Sequence, residues 1–173
     1  MPKPIILRVA KPSDAEALIR VHFAAVHAIP PGLYSAEVKA AWSRLPDEAR
    51  FQWMRELIIA GKEMILVAED DSEALGFGVV SPNSCELRAL YVHPAVGRRG
   101  IGQKLLRELE SRCIARGLLS LHLNASLNAE PFYHRHGYRS LSHGTFALTA
   151  DHHMACVKME KDLQSLSVQA AEL

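Results

Sequence analysis

The chain has few cysteines, few aromatic residues and no excess of either charge. Its three cysteines, Cys85, Cys113 and Cys156, stand apart from one another, so they build neither a disulfide framework nor a paired-cysteine zinc motif, and they suit a reducing cytoplasm. Lys and Arg number 20 against 19 Asp and Glu, which removes the global field that would favour nucleic acid or a membrane surface. No apolar run reaches the roughly 18 residues needed to span a bilayer. The opening stretch, MPKPIILRVAKPSD, lacks the apolar core and the cleavage site of a signal peptide. There is no internal repeat and no low-complexity segment. The 9 histidines do not form a metal motif. His134 and His136 are two apart, His152 and His153 are adjacent, and His22 and His27 are five apart, so no pair has the i, i+4 spacing of a zinc helix. These absences predict a cytoplasmic protein with no metal and no nucleic-acid or membrane partner. Its 173 residues suffice for one domain, read over residues 1–162, with a tail over 163–173.

The pattern of elements is that of a mixed sheet with helices. A strand over Ile5–Val9 is followed by a Ser13/Glu16 capping box and a helix from Ala15 to about Ala28. Pro30-Pro31-Gly32 stops that helix. Ser35 caps a short second helix carrying Val38, Ala41 and Trp42, and Pro46-Asp47 opens a third that ends at Gly61. Strands are expected over Met64–Glu69, Ala74–Val80 and Cys85–Val92, the first two joined by the Asp70-Asp71-Ser72 turn. A helix over Gly100–Arg116 shows Ile101, Leu105, Leu106 and Leu109 at helical spacing. A strand over Leu119–Asn124, a helix beginning near Asn128, and strands over Tyr138–Leu141 and Met154–Met159 complete the pattern. The strand–helix–strand unit over residues 85–124 requires parallel pairing, while the tight turns before it require antiparallel pairing. The fold class is therefore α/β (α+β), with helices on both faces of a mixed sheet.

The richest segment is Leu87–Gly102, LRALYVHPAVGRRGIG. A strand turns through Pro94 into small and basic residues, and a helix begins at Gly100-Ile101-Gly102. Unpaired N–H groups at such a helix start make an anion site, and Arg98 and Arg99 add charge there. Arg107, Arg112 and Arg116 fit a solvated helix face. A Walker loop would need Lys at Gln103 and Ser or Thr at Lys104. A dinucleotide fingerprint starting at Gly100 would need glycine at Leu105. Neither fits.

Strand, Arg-Arg-Gly-x-Gly, helix, strand, then an Asn/aromatic helix does fit. The second half is SLNAEPFYHRHGY, with Asn128, Phe132, Tyr133, Gly137 and Tyr138. Together the two segments resemble the GNAT superfamily of acyl-CoA-dependent N-acyltransferases. The resemblance is strong from about Glu86 to Tyr138. It departs at Gly97, where the family usually has Gln or Arg; that loop acts largely through backbone N–H groups.

The resemblance implies a GNAT-like, mostly antiparallel sheet in which a parallel strand pair splays to form a cleft for acetyl-CoA. It implies an N-acetyltransferase that moves an acetyl group to a primary amine of a small molecule or peptide by direct attack in a ternary complex. A homodimer is common in the family. Backbone groups of Leu90 and Val92 would hold the pantetheine arm. Arg98, Arg99, Gly100, Gly102 and Gln103 would cradle the pyrophosphate. Asn128 would bind pantetheine or cap its own helix.

A free alkylamine, with a pKa of about 10.4, must lose a proton to attack. Glu86 lies where histone-type members carry a base, with strand alternation placing it on one face with Arg88, Leu90 and Val92. The plain alternatives are a strand-end acid paired with Arg88, or a water chain with no single base. Tyr133 would donate to the departing sulfur; its alternative is packing beside Phe132. The acceptor side would use His22, Tyr34 and Trp42, the last two as exposed aromatics, and segments near Ser142–His153, with the Ile29–Leu33 loop setting identity. Core packing is the competing role for both Tyr34 and Trp42, and the favoured one for Trp42. A rival of another class is a non-catalytic acyl-CoA-binding or sensing module, which would need neither Tyr133 nor Glu86.

Overall fold

The structure is a computed structural model and describes residues 4–71 and 73–164. The last part of the expected tail, residues 165–173, lies outside the described residues. Leu163 is buried, and its N–H donates to the Leu119 carbonyl at 2.9 Å.

In chain order the elements are β1 (Ile6–Val9), α1 (Ala15–His27), α2 (Ala36–Trp42), α3 (Glu48–Ala60), β2 (Met64–Asp70), β3 (Glu73–Ser81), β4 (Glu86–Val92), α4 (Ile101–Ala115), β5 (Ser120–Ser126), α5 (Glu130–Arg135), β6 (Arg139–Ala147) and β7 (His153–Asp162). The strands form one 7-stranded sheet in the order β1-β2-β3-β4-β5-β7-β6. Only β4 and β5 run parallel among these neighbours; the other pairs are antiparallel. This is the predicted mixed, mostly antiparallel sheet. No helix among the described residues is long and apolar enough to cross a membrane.

Alternation along β2 builds both layers. Leu66 and Ala68 face α4, where Leu105, Leu106 and Leu109 are fully buried, while Ile65 and Val67 face α1 and α3. Burying each such aliphatic side chain contributes about 1.5–3 kcal/mol. α4 lies close on β3 because residue 78 has no side chain: a Cβ there would sit 2.5 Å from Leu109. A Cβ there would force the fully buried Leu109 side chain to shift.

Three expectations need correction. The start of α1 does not use a Ser13 capping box. Pro12–Asp14 forms a short 3-10 turn instead. The Asp14 carboxylate accepts from the Lys11 N–H at 2.6 Å and from Arg8 at 2.7 and 2.9 Å. The last two strands are longer than expected. β6 is an exposed edge with no buried face to impose alternation on its sequence. Finally, β4 carries a bulge. Val79 pairs with Ala89 and Val80 with Leu87, which leaves Arg88 as the extra residue. Leu87, Leu90 and Val92 therefore pack on the α4 side, and Ala89 and Tyr91 on the α1/α3 side. Glu86, next to Leu87, falls on the face opposite Leu90 and Val92, because one extra residue inverts the alternation.

Candidate active site

β4 and β5 separate almost as soon as they meet. Their pairing is confined to Glu86 opposite His122, where the His122 N–H donates to the Cys85 carbonyl at 2.9 Å. Both strands then continue, to Val92 and Ser126, and the gap between them is a cavity of about 430 Å³. The N–H of His93 donates to Leu75 on β3 at 2.8 Å. Strand alternation then turns the N–H and C=O of Leu90 and Val92 to the other edge, into the gap. An extended ligand arm can pair with that edge as an added strand would.

At the far end of the gap stands the start of α4. Gly100 has φ +72° and is its N-cap, and Arg98 also has a positive φ, +67°. The N–H groups of Ile101, Gly102 and Gln103 have no intrahelical acceptor by helix geometry. At Gly102 a Cβ would stand 3.6 Å from the Phe132 ring and 3.7 Å from Val92, so α4, α5 and the end of β4 converge there. The two arginines differ. Arg99 donates to Asp70 at 3.1 Å, which ties it to the β2–β3 turn. Arg98 forms no ion pair among the described residues.

α5 carries Phe132 and Tyr133, about 100° apart on the helix. Phe132 packs at Gly102, while Tyr133 lines the gap. Tyr133 is only 7 % exposed, and its hydroxyl has no hydrogen-bond partner among the described residues. Burial, reinforced by Tyr91, holds its phenol well above the usual pKa. Asn128 does not cap α5; Ala129 stands at the N-cap, and no side-chain cap bond is made. Asn128 instead borders a further cavity of about 250 Å³ with Leu90, Val92 and Ser126, and Leu90 and Ser126 line the gap as well.

Glu86 lines the same gap. Arg88 donates to it at 3.2 Å and to Glu63 at 3.3 Å, so one guanidinium joins two carboxylates. The paired-acid geometry foreseen for Glu86 and Arg88 is present, and Glu86 also faces the cavity.

The acceptor candidates separate. Tyr34 is 8 % exposed, which corrects the expectation of an exposed aromatic. Its hydroxyl donates to the Ala155 carbonyl at 2.7 Å and accepts from the Leu127 N–H at 2.8 Å. A phenol with both sides satisfied ties the α1–α2 loop to β7 and to the β5–α5 connection. Trp42 borders the gap and donates from its indole N–H to the Tyr91 hydroxyl at 3.1 Å. His22 meets Tyr91 edge to face at 4.5 Å, and its Nδ1 lies 2.9 Å from the Ser43 Oγ. Burial, with Arg50 and His27 adding to it, lowers the His22 pKa to about 3, so this ring is neutral at physiological pH. Sequence reasoning missed Tyr91. It touches Trp42, His22 and Phe77, and burial pushes its phenol up to about 12 against the opposing bond from Trp42. Its signal was its place between Leu90 and Val92, where alternation points it at the other face. The described residues contain no cluster of three or more metal-ligating side chains.

The sequence model of the acetyltransferase (GNAT) domain matches residues 34–163, a span that holds the gap, the glycine turn and α5. The chain belongs to the GNAT acetyltransferase family. Among solved structures it is similar to a GCN5-related N-acetyltransferase from Rhodopseudomonas palustris, with TM-score 0.80, 28% identity and coverage of 94% of this chain and 98% of that one. It is also similar to the PaiA N-acetyltransferase of Thermoplasma acidophilum, solved with coenzyme A, with TM-score 0.76, 25% identity and coverage of 92% and 99%. A phosphinothricin acetyltransferase from Sinorhizobium meliloti, solved with acetyl-CoA, shares the fold at TM-score 0.68, 18% identity and coverage of 91% and 88%. No curated protein matches the sequence significantly. As a GNAT acetyltransferase the chain uses acetyl-CoA as acyl donor, and the family acts on amine acceptors.

Proposed function

We propose that the protein is an N-acetyltransferase in which a primary amine of a small molecule or peptide attacks acetyl-CoA directly in a ternary complex. The observation that carries this reading is the placement of Tyr133: a buried phenol with an unengaged hydroxyl, in the gap between the diverging strands. In this reading Leu90 and Val92 pair with the pantetheine arm and Asn128 adds a side-chain contact. The α4 N-terminus, with Arg98, Gly100, Gly102 and Gln103, receives the pyrophosphate, and Arg99 contributes from its tether on Asp70.

The amine nitrogen bonds to the thioester carbon, the C–S bond breaks, and the sulfur leaves with the bonding pair. The amine proton passes to Glu86, directly or through water. Arg88 occupies one Glu86 oxygen, Oε2, and a carboxylate retains acceptor capacity on the other. Tyr133 hydrogen-bonds the sulfur as charge develops. A phenol at about 10 is already a weaker acid than a thiol at about 8.5, and burial raises Tyr133 further. It therefore stabilises the thiolate chiefly as a donor, with the final proton arriving from solvent. A sensing module would have no use for this pair of groups facing one cavity. The test is thiol release from acetyl-CoA with an amine panel. Thiol release that depends on acceptor supports the reading, and acetyl-CoA binding with no turnover for any amine class counts against it. We also read the protein as one cytoplasmic domain.

A further inference from the structure

Trp42 and Tyr91 border three cavities at once: the gap of about 430 Å³, the cavity of about 250 Å³ beside Asn128, and a groove of about 310 Å³ between α1, α3 and the sheet. The bond between their polar ends, 3.1 Å from the indole Nε1 to the phenol oxygen, stands on a wall common to all three. Tyr91 also helps to raise the Tyr133 phenol, so the two hydroxyls lie within electrostatic reach of each other. The Tyr91 ring lies on the α1/α3 side of the sheet, with His22 at 4.5 Å and Phe77 at 5.7 Å between ring centroids. α4, whose N-terminus receives the donor in the reading above, packs on the other side.

The hydroxyl of Tyr91 is half used. A phenol both accepts and donates a hydrogen bond, whereas an indole N–H only donates, so Tyr91 is the acceptor in the Trp42 bond. Its own proton has no acceptor among the described residues, and whatever fills the cavity must supply one. An ammonium carries donors only and cannot. The surroundings also disfavour charge of either sign: burial pushes the Tyr91 phenol up to about 12 and the His22 imidazole down to about 3. A carbonyl oxygen is both an acceptor and neutral. Since the ring points away from α4, that oxygen belongs to the amine substrate rather than to the thioester.

We infer that Tyr91 selects the amine substrate, its hydroxyl donating a hydrogen bond to a neutral carbonyl oxygen carried close to the reacting amine, as in an amino-acid amide or the N-terminus of a peptide. Trp42 is the positioning residue: by taking the accepting side of the hydroxyl, it turns the proton towards the ligand. The inference rests on the transferase reading and narrows its substrate to amines that bear such a carbonyl. A plain alkylamine leaves the Tyr91 proton unpaired, and a donor left without a partner away from water weakens binding.

The test compares L-leucinamide, L-leucine and isoamylamine, which share one apolar side chain, in thiol-release assays with the wild type, Tyr91→Phe and Trp42→Phe. Thermal melting of each protein with acetyl-CoA is the control for folding and donor binding. The three amines differ in basicity, so the readout is the change in their relative kcat/KM on substitution. Tyr91→Phe should lower the ratio of leucinamide to isoamylamine by about fivefold or more, through KM for leucinamide. Trp42→Phe keeps the hydroxyl but frees it to turn, and should lower the ratio by less. In the wild type the amide should exceed the acid. A substitution that only loosens the fold slows both amines alike, so a ratio unmoved by Tyr91→Phe would overturn the inference. An equal loss of kcat for both amines, the sign of a hydroxyl serving the thioester oxygen, would do the same, as would leucine outperforming leucinamide. Turnover of isoamylamine alone would overturn it and leave the transferase reading standing. Absence of any acetyl-CoA stabilisation of the wild type would instead overturn the transferase reading on which it rests.

Discussion

The indole N–H of Trp42 donates to the hydroxyl of Tyr91 across 3.1 Å. Trp42 ends α2, and Tyr91 lies on β4, the strand that forms one wall of the donor gap. One hydrogen bond thus ties the helical acceptor side to the donor side. Tyr91→Phe leaves the indole N–H without its partner. Such a loss costs about 1 kcal/mol, or a melting midpoint about 3 °C lower for a domain of this size. Acetyl-CoA binding should be unchanged while KM for the amine rises. Calorimetry and steady-state kinetics check the two parts.

Tyr133→Phe keeps the ring packed against Tyr138 at 5.5 Å and removes only the hydroxyl. Loss of a donor to a developing negative charge lowers kcat by about 100-fold. The dissociation constant for CoA should stay within about twofold, since an interaction made only in the transition state leaves ground-state binding intact. Stopped-flow thiol release and calorimetric titration separate the two quantities.

His22 makes stability depend on pH. Its pKa is lowered to about 3 in the folded protein, against about 6.5 in an unfolded chain. Below 6.5 the unfolded chain takes up a proton that the folded one refuses. The contribution is therefore complete above pH 6.5 and falls by roughly 1 kcal/mol per pH unit as pH drops towards 3. Urea midpoints between pH 7 and 4 should fall in the wild type, and less steeply in His22→Gln.

Gly100 has φ +72° with open space where a Cβ would stand. Gly100→Ala therefore meets only backbone strain, of about 1–2 kcal/mol. Relief of that strain would rotate the first N–H groups of α4. The variant should melt lower and bind CoA more weakly, with binding reduced more than for Arg99→Ala, whose guanidinium is already held by Asp70. Titration calorimetry on both variants gives the comparison.

Element order, the single parallel crossover and the glycine turn were legible in the sequence because each has a local signature: helical spacing at Leu105, Leu106 and Leu109, turn residues, and N-caps at Ser35 and Asp47. The bulge at Arg88 was not. It inserts one residue into a β4 that reads as regular, and it moves Glu86 to the other face from Leu90. Nor was β6 legible in full, since an exposed edge strand carries no alternating pattern. In the candidate site, Tyr133, Glu86 and Trp42 come to one cavity from α5, β4 and α2. Tyr34 was misjudged because an aromatic beside a Pro-Pro-Gly loop reads as exposed, whereas its hydroxyl satisfies two backbone groups far along the chain.

The most direct test of the central claim is a mass-spectrometric product analysis of acetyl-CoA incubated with the protein, with and without amine acceptors. Direct attack predicts one N-acetylated amine for each CoA thiol released and no acetylated protein when the amine is withheld. Stoichiometric acetyl-protein in the absence of amine, or CoA binding without any N-acetylated product, would contradict it.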